Sequence, residues 1–156
     1  MGLDMYLSAS RYVSGWKHLD AERKEYEKLL AAFGLKPDVC PDAPSADVVV
    51  RVGYWRKANA IHAWFVREVQ GGTDDCQRYD VEREQLSALK AECLLALAAK
   101  DGVGKADATL PPQSGFFFGS ATRDEWYYDN LARTVAIIDQ CLAMPEQWTF
   151  QYQSSW

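Results

Sequence analysis

No stretch of this 156-residue chain approaches the ~20 consecutive apolar residues that a bilayer-spanning helix needs. Nor is there a block of basic residues. The densest cationic spots are Arg56-Lys57 and the run Glu22–Lys28, which alternates in sign like a solvated helix face. With a net charge of -5 and a pI near 5.0, the chain lacks the clustered Lys and Arg whose counterion release drives nucleic-acid affinity, so nucleic acid is not expected as a partner. Only two histidines occur, His18 and His62. The four cysteines, Cys40, Cys76, Cys93 and Cys141, are scattered with no C-x-x-C pair, so neither a metal site nor a cofactor is expected. The opening segment, with Asp4, does not read as a secretory leader, and Tyr6 stands where a myristoylation signal wants Ser or Thr. A cytoplasmic location without membrane attachment follows as the expectation.

What is plentiful is aromatic surface. Six Trp, eight Tyr and six Phe make up 13% of the chain. Such side chains cover much area for few rotatable bonds, which suits a tightly filled core or a binding surface. At this length the expectation is one globular domain over residues 1–156, burying roughly 70% of its unfolded surface.

Alternation marks strands at both ends. Leu3, Met5, Leu7 and Ala9 oppose Asp4, Tyr6, Ser8 and Ser10, and Trp148, Phe150, Tyr152 and Trp156 oppose Thr149, Gln151, Gln153 and Ser155. "DVVVRVGYW" predicts a third strand, with Val48, Val50, Val52 and Tyr54 on one face and Val49 and Trp55 on the other, central in its sheet; Gly53 there signals a bulge or a close approach. Helical spacing predicts a first helix capped by Asp20 and stopped at Gly34-Leu35, and a second through "RKANAIHAWFVREVQGG". A third is expected over 81–100 behind an Asp80 cap, and a fourth from a Thr122/Glu125 capping box to Pro145. The sum is an α+β fold: a small, mainly antiparallel sheet that includes both termini, packed with about four helices.

Two segments concentrate polar and aromatic groups. "YWRKANAIH" carries a strand straight into a helix. Trp55 offers a stacking plate, Arg56 and Lys57 meet negative charge, and Asn59 and His62 share a helix face at a spacing of three. The other is "QSGFFFGS", where Gln113, Ser114 and Ser120 flank Phe116–Phe118. The triplet is either a core plug or a pocket wall, and "SGFFFGS" lacks the lysine of a phosphate-binding loop. With Tyr152 from the last strand as a second stacking ring, these residues form the expected ligand site: Trp55, Arg56, Lys57, Asn59, His62, Gln113, Ser114 and Tyr152. No catalytic residue is assigned. The enzymatic alternative is a small hydrolase or transferase using His62 with Asp74 or Asp75.

In "GLDMYL", "VGYWRKANAIHAWF", "GFFFG" ahead of "DEWYYDNL", and "YQSSW", in that order over nearly the whole chain, the sequence resembles a family of small bacteriophage and prophage proteins. The resemblance implies a phage setting, hence the host cytoplasm, and carries over no site residue. Small acidic phage proteins often act by binding. The expected partner is accordingly a small anionic or aromatic, nucleotide-like ligand or a host or defence protein, with a structural or protein–protein role as a further alternative.

Overall fold

A computed structural model describes residues 2–100, 110–114 and 122–156. The Phe116–Phe118 triplet, its flanking glycines and Ser120 lie outside the described residues. In chain order the elements are β1 (Asp4–Ser14), α1 (Asp20–Ala32), β2 (Ser45–Arg56), α2 (Asn59–Glu68), β3 (Tyr79–Val81), α3 (Arg83–Lys100), α4 (Glu125–Ala143) and β4 (Thr149–Ser155). They form the expected α+β architecture. The strands make one antiparallel sheet in the order β2-β1-β4-β3, with the first and last strands of the chain as its two inner members.

The chain divides into two compact units, residues 1–9 with 51–156, and residues 10–50. In the larger, the inward positions of the sheet are Met5, Leu7 and Ala9 of β1, Trp55 of β2, Val81 of β3, and Phe150 and Tyr152 of β4. They share a core with Ile61, Trp64 and Phe65 of α2, Leu86, Leu89 and Cys93 of α3, and Leu131, Ile138 and Cys141 of α4. Phe65 lies flat on Tyr152, ring centroids 3.9 Å apart and 6° from parallel. Gly53 is a close approach, as its place in a strand implies: a Cβ there would lie 2.9 Å from Ile137 Cγ2 and 3.1 Å from Leu7 Cβ. In the smaller unit, Val13, Tyr26 and Leu30 form a separate cluster with Leu29, Ala46 and Val48.

The end of α1 shows how local sequence sets a boundary. Gly34 takes φ +71°, in the region where a side chain is costly. Its N–H bonds the Ala31 carbonyl at 3.0 Å, and the Leu35 N–H bonds that of Leu30 at 2.9 Å, the paired bonds of a Schellman stop. The far end of α4 is closed from outside the helix. It has no basic residue in its last turn, and the Arg83 guanidinium of α3 supplies one, donating to the carbonyls of Leu142, Met144 and Pro145 at 2.8–3.3 Å while lying over the Phe150 ring.

Four expectations are corrected. β2 is an edge strand, not a central one. Its inward residues also change parity along its length, from Ala46 and Val48 in the smaller unit to Gly53 and Trp55 in the larger, so Val50 is left exposed. Asp80 does not cap α3. It sits in β3 opposite Gln151, whose amide donates to its carboxylate at 2.8 Å. Asp124, not a Thr122/Glu125 box, caps α4, its carboxylate accepting from the Tyr127 N–H at 2.9 Å. Asp20 is the first residue of α1, with Leu19 at the cap position and no side-chain cap bond. Among the described residues no helix is long and apolar enough to cross a membrane.

Candidate functional site

The β2–α2 junction turns sharply. Lys57 adopts φ +54°, a left-handed conformation that costs a side-chain-bearing residue about 1–2 kcal/mol. Its N–H bonds the Leu3 carbonyl at 2.8 Å, so the turn is held from the β1 side. Leu110, buried, is left-handed as well, at φ +49°. The Tyr127 hydroxyl holds its carbonyl at 2.7 Å. These two turns and the first turns of α4 surround a cavity of about 190 Å³. Its polar lining comes from Lys57, Asn59, Gln113, Asp124 and Asn130. Its apolar lining comes mainly from Ala58, Ile61, Pro112, Tyr127 and Leu131, with the half-exposed Trp126 at its rim.

Of the eight residues expected to bind ligand, Lys57, Asn59 and Gln113 meet around this cavity. The others are placed elsewhere. Arg56 and Ser114 are exposed next to it in sequence but do not line it. Trp55 is 1% exposed. Its indole N–H donates to Thr134 Oγ1 at 2.9 Å, and that hydroxyl donates to the Asn130 carbonyl at 2.7 Å, so Trp55 is a pinned core ring and not an open stacking plate. Tyr152 is likewise interior, with a ring face already taken by Phe65.

His62 does not line the cavity with Asn59 despite the spacing of three, and borders a separate depression beside Asp74. Its Nδ1 lies 2.8 Å from the Tyr152 hydroxyl and its Nε2 2.9 Å from Asp74 Oδ2. Burial raises the Tyr152 phenol well above its ordinary range, reinforced by the nearby Asp74 charge. Both imidazole nitrogens are thus engaged, one with the Tyr152 hydroxyl and the other with the Asp74 carboxylate. Asp74 Oδ1 also accepts from the Trp156 indole at 3.1 Å. The His62–Asp74 pairing foreseen for an enzyme does form, and the Tyr152 hydroxyl occupies the other ring nitrogen. The chain Tyr152–His62–Asp74–Trp156 ties α2 and the turn after it to the last strand.

Sequence reasoning missed Trp126, Asp124, Tyr127 and Asn130. A signal for Asp124 was present, since Asp three residues before a tyrosine-rich apolar stripe is itself a cap pattern, but the neighbouring Thr122/Glu125 spacing competed with it. Trp126 had none, because an exposed aromatic on a helix is set by orientation rather than by spacing. The helix N-terminus is not an open anion site, since the Asp124 carboxylate already holds the Tyr127 N–H. No family model, curated protein or solved structure matches the chain.

Proposed function

We propose that the chain is a non-catalytic binding module of the phage type its sequence resembles, sequestering a nucleotide-like small molecule through its heterocyclic ring at the cavity between the β2–α2 junction and the start of α4. The supporting observation is the convergence of an exposed Trp126 ring, the amides of Asn59 and Gln113, and Lys57 on one small, largely apolar cavity. Apolar walls with a few convergent polar groups are the usual makeup of a ligand pocket. At about 190 Å³ the cavity is smaller than the roughly 300–1,000 Å³ of pockets that enclose drug-sized ligands, which suits one ring system. Asp124 beside the helix terminus opposes a dense anion, so selectivity falls on the ring, which the amides read at its edge, with Lys57 meeting a single negative charge.

Calorimetric titration with free nucleobases, nucleosides and monophosphates tests the reading, with Trp126→Ala and Asn59→Ala as controls. Stacking on an aromatic ring is worth about 1–3 kcal/mol per base, so Trp126→Ala should weaken binding between roughly 5-fold and 150-fold. Absence of binding by every member of that panel at millimolar concentration rejects the proposal. The alternative of a blocker of a host or defence protein is favoured by a different observation. Among the described residues, most of the exposed large apolar side chains, Phe33 at 78% among them, belong to residues 10–50. Co-purification that Phe33→Ser abolishes, with Trp126→Ala neutral, selects that reading.

A further inference from the structure

The two edges of the sheet are unlike. β3 is three residues long and offers little backbone to an incoming strand. β2 is twelve residues long, and among the described residues β1 is its single neighbour in the sheet. Along it, Asp47, Val49, Val50 and Arg51 are exposed, Val49 at 64% and Val50 at 46%. Exposed valines in an open edge strand are a template for another strand.

We propose that β2 pairs with β2 of a second copy of the chain, antiparallel about a two-fold axis through Val49. Charge selects this register. In it Asp47 stands opposite the second copy's Arg51 and Arg51 opposite the second copy's Asp47, while Val48 faces Val50 in both directions and Val49 faces itself. Residues two apart share a face, so Asp47, Val49 and Arg51 lie together and both ion pairs flank the valine contact on one side of the extended sheet. Registers centred on Asp47 or on Arg51 put like charges opposite each other, and a shift of one residue either way forms neither ion pair. Pro44, which has no N–H to offer, falls outside the paired span 46–52. Arg51 is partly set in place, its guanidinium 4.3 Å from the centre of the Tyr6 ring. A contact of this kind is isologous, the self-complementary form that closes as a dimer.

Sedimentation velocity from micromolar to submillimolar protein tests this. The full chain is expected to dimerise. Asp47→Arg and Arg51→Asp should each raise the dimer dissociation constant ~10-fold or more, because each turns two attractions into two repulsions. Val49→Lys, which sets like charges on the axis, should do the same. The double variant Asp47→Arg/Arg51→Asp restores opposite charges and should recover the wild-type constant, with circular dichroism confirming that each variant is folded. A wild-type chain that stays monomeric, a dimer indifferent to Asp47→Arg and Val49→Lys, or a double variant that fails to recover overturns the proposal.

Discussion

Replacing Thr134 by Val tests whether Trp55 is held in the core by its hydrogen bond or by its shape alone. Val fills the same volume, so the change removes the hydroxyl and leaves the Trp55 indole N–H, 1% exposed, with no acceptor. Stranding a buried donor costs about 1–3 kcal/mol. The bond that Thr134 gives the Asn130 carbonyl adds little, since that carbonyl already accepts within the helix. At ~2–4 °C per kcal/mol for a chain of this size, Thr134→Val should lower the melting temperature by roughly 2–12 °C. The diagnostic measurement is a double-mutant cycle with Trp55→Phe, followed by urea unfolding monitored by circular dichroism. Phe has no donor to strand. In that background Thr134→Val should therefore cost less than ~0.5 kcal/mol, giving a coupling of roughly 0.5–3 kcal/mol. Equal costs in the two backgrounds would show that the hydrogen bond contributes nothing and that packing alone fixes the ring.

Alkaline pH should erode stability through the buried thiols. Burial raises Cys93 to about 12, with Glu92 adding to it, and Cys141 to about 11. In both the folded state keeps a proton that the unfolded chain sheds above its ordinary value of 9.0. Their contribution is therefore intact below pH 9 and lost as pH climbs toward 11–12, and the Cys93→Ala variant should show a shallower fall in urea midpoint over that window. Gly53→Ala should destabilise by about 1–3 kcal/mol through overpacking against Ile137 and Leu7, read as a lowered urea midpoint; an unchanged midpoint would mean that α4 moves aside freely. Lys57→Gly should relieve left-handed strain of about 1–2 kcal/mol, offset in part by glycine's roughly 0.4–1 kcal/mol greater freedom in the unfolded chain, and so raise the melting temperature slightly while weakening the monophosphate more than the free base; equal weakening of both refutes the charge-meeting role. Removing residues 151–156 should abolish cooperative melting, because β4 is an inner strand and supplies Tyr152 to the core.

Legibility of this fold in its sequence followed the length of each pattern. β1 and β4 were readable because alternation persists through them and the buried residues, Met5, Leu7, Ala9, Phe150 and Tyr152, keep one parity. α1 was readable to its last residue because Gly34-Leu35 has a specific stop geometry. β3 was not, since three residues cannot establish a period, and Asp80 resembled a cap when its real partner, Gln151, is 71 positions away. β2 misled through its valines. A run apolar on both faces reads as a central strand, yet this one lies at an edge, and a single parity cannot describe a strand that serves two cores. At the site, local spacing put Lys57 and Asn59 at the β2–α2 junction and Gln113 in a loop, which is where they lie. It could not tell that Trp55 and His62 are committed to Thr134, Tyr152 and Asp74, because those partners come from distant parts of the chain.

The positions of backbone strain make sense together with that commitment. Among the described residues, three without the freedom of glycine are left-handed: Lys57, Cys76 and Leu110. Lys57 lines the cavity, Leu110 precedes Pro112 and Gln113 on its wall and is held by Tyr127, and Cys76 closes the turn whose Asp74 bonds His62. Each costs about 1–3 kcal/mol and persists only where surrounding contacts impose it. At Lys57 and Leu110 those contacts are named bonds, to Leu3 and from Tyr127. A sharp turn at Lys57 sends α2 away immediately after β2, so Trp55 enters the core while Asn59, four residues later, reaches the cavity. An unstrained extended residue at 57 would carry the strand onward and bury or expose both side chains alike. The strain is thus the means by which one short segment supplies both a core anchor and a cavity wall, and the tight Trp55–Thr134 bond keeps that division from shifting.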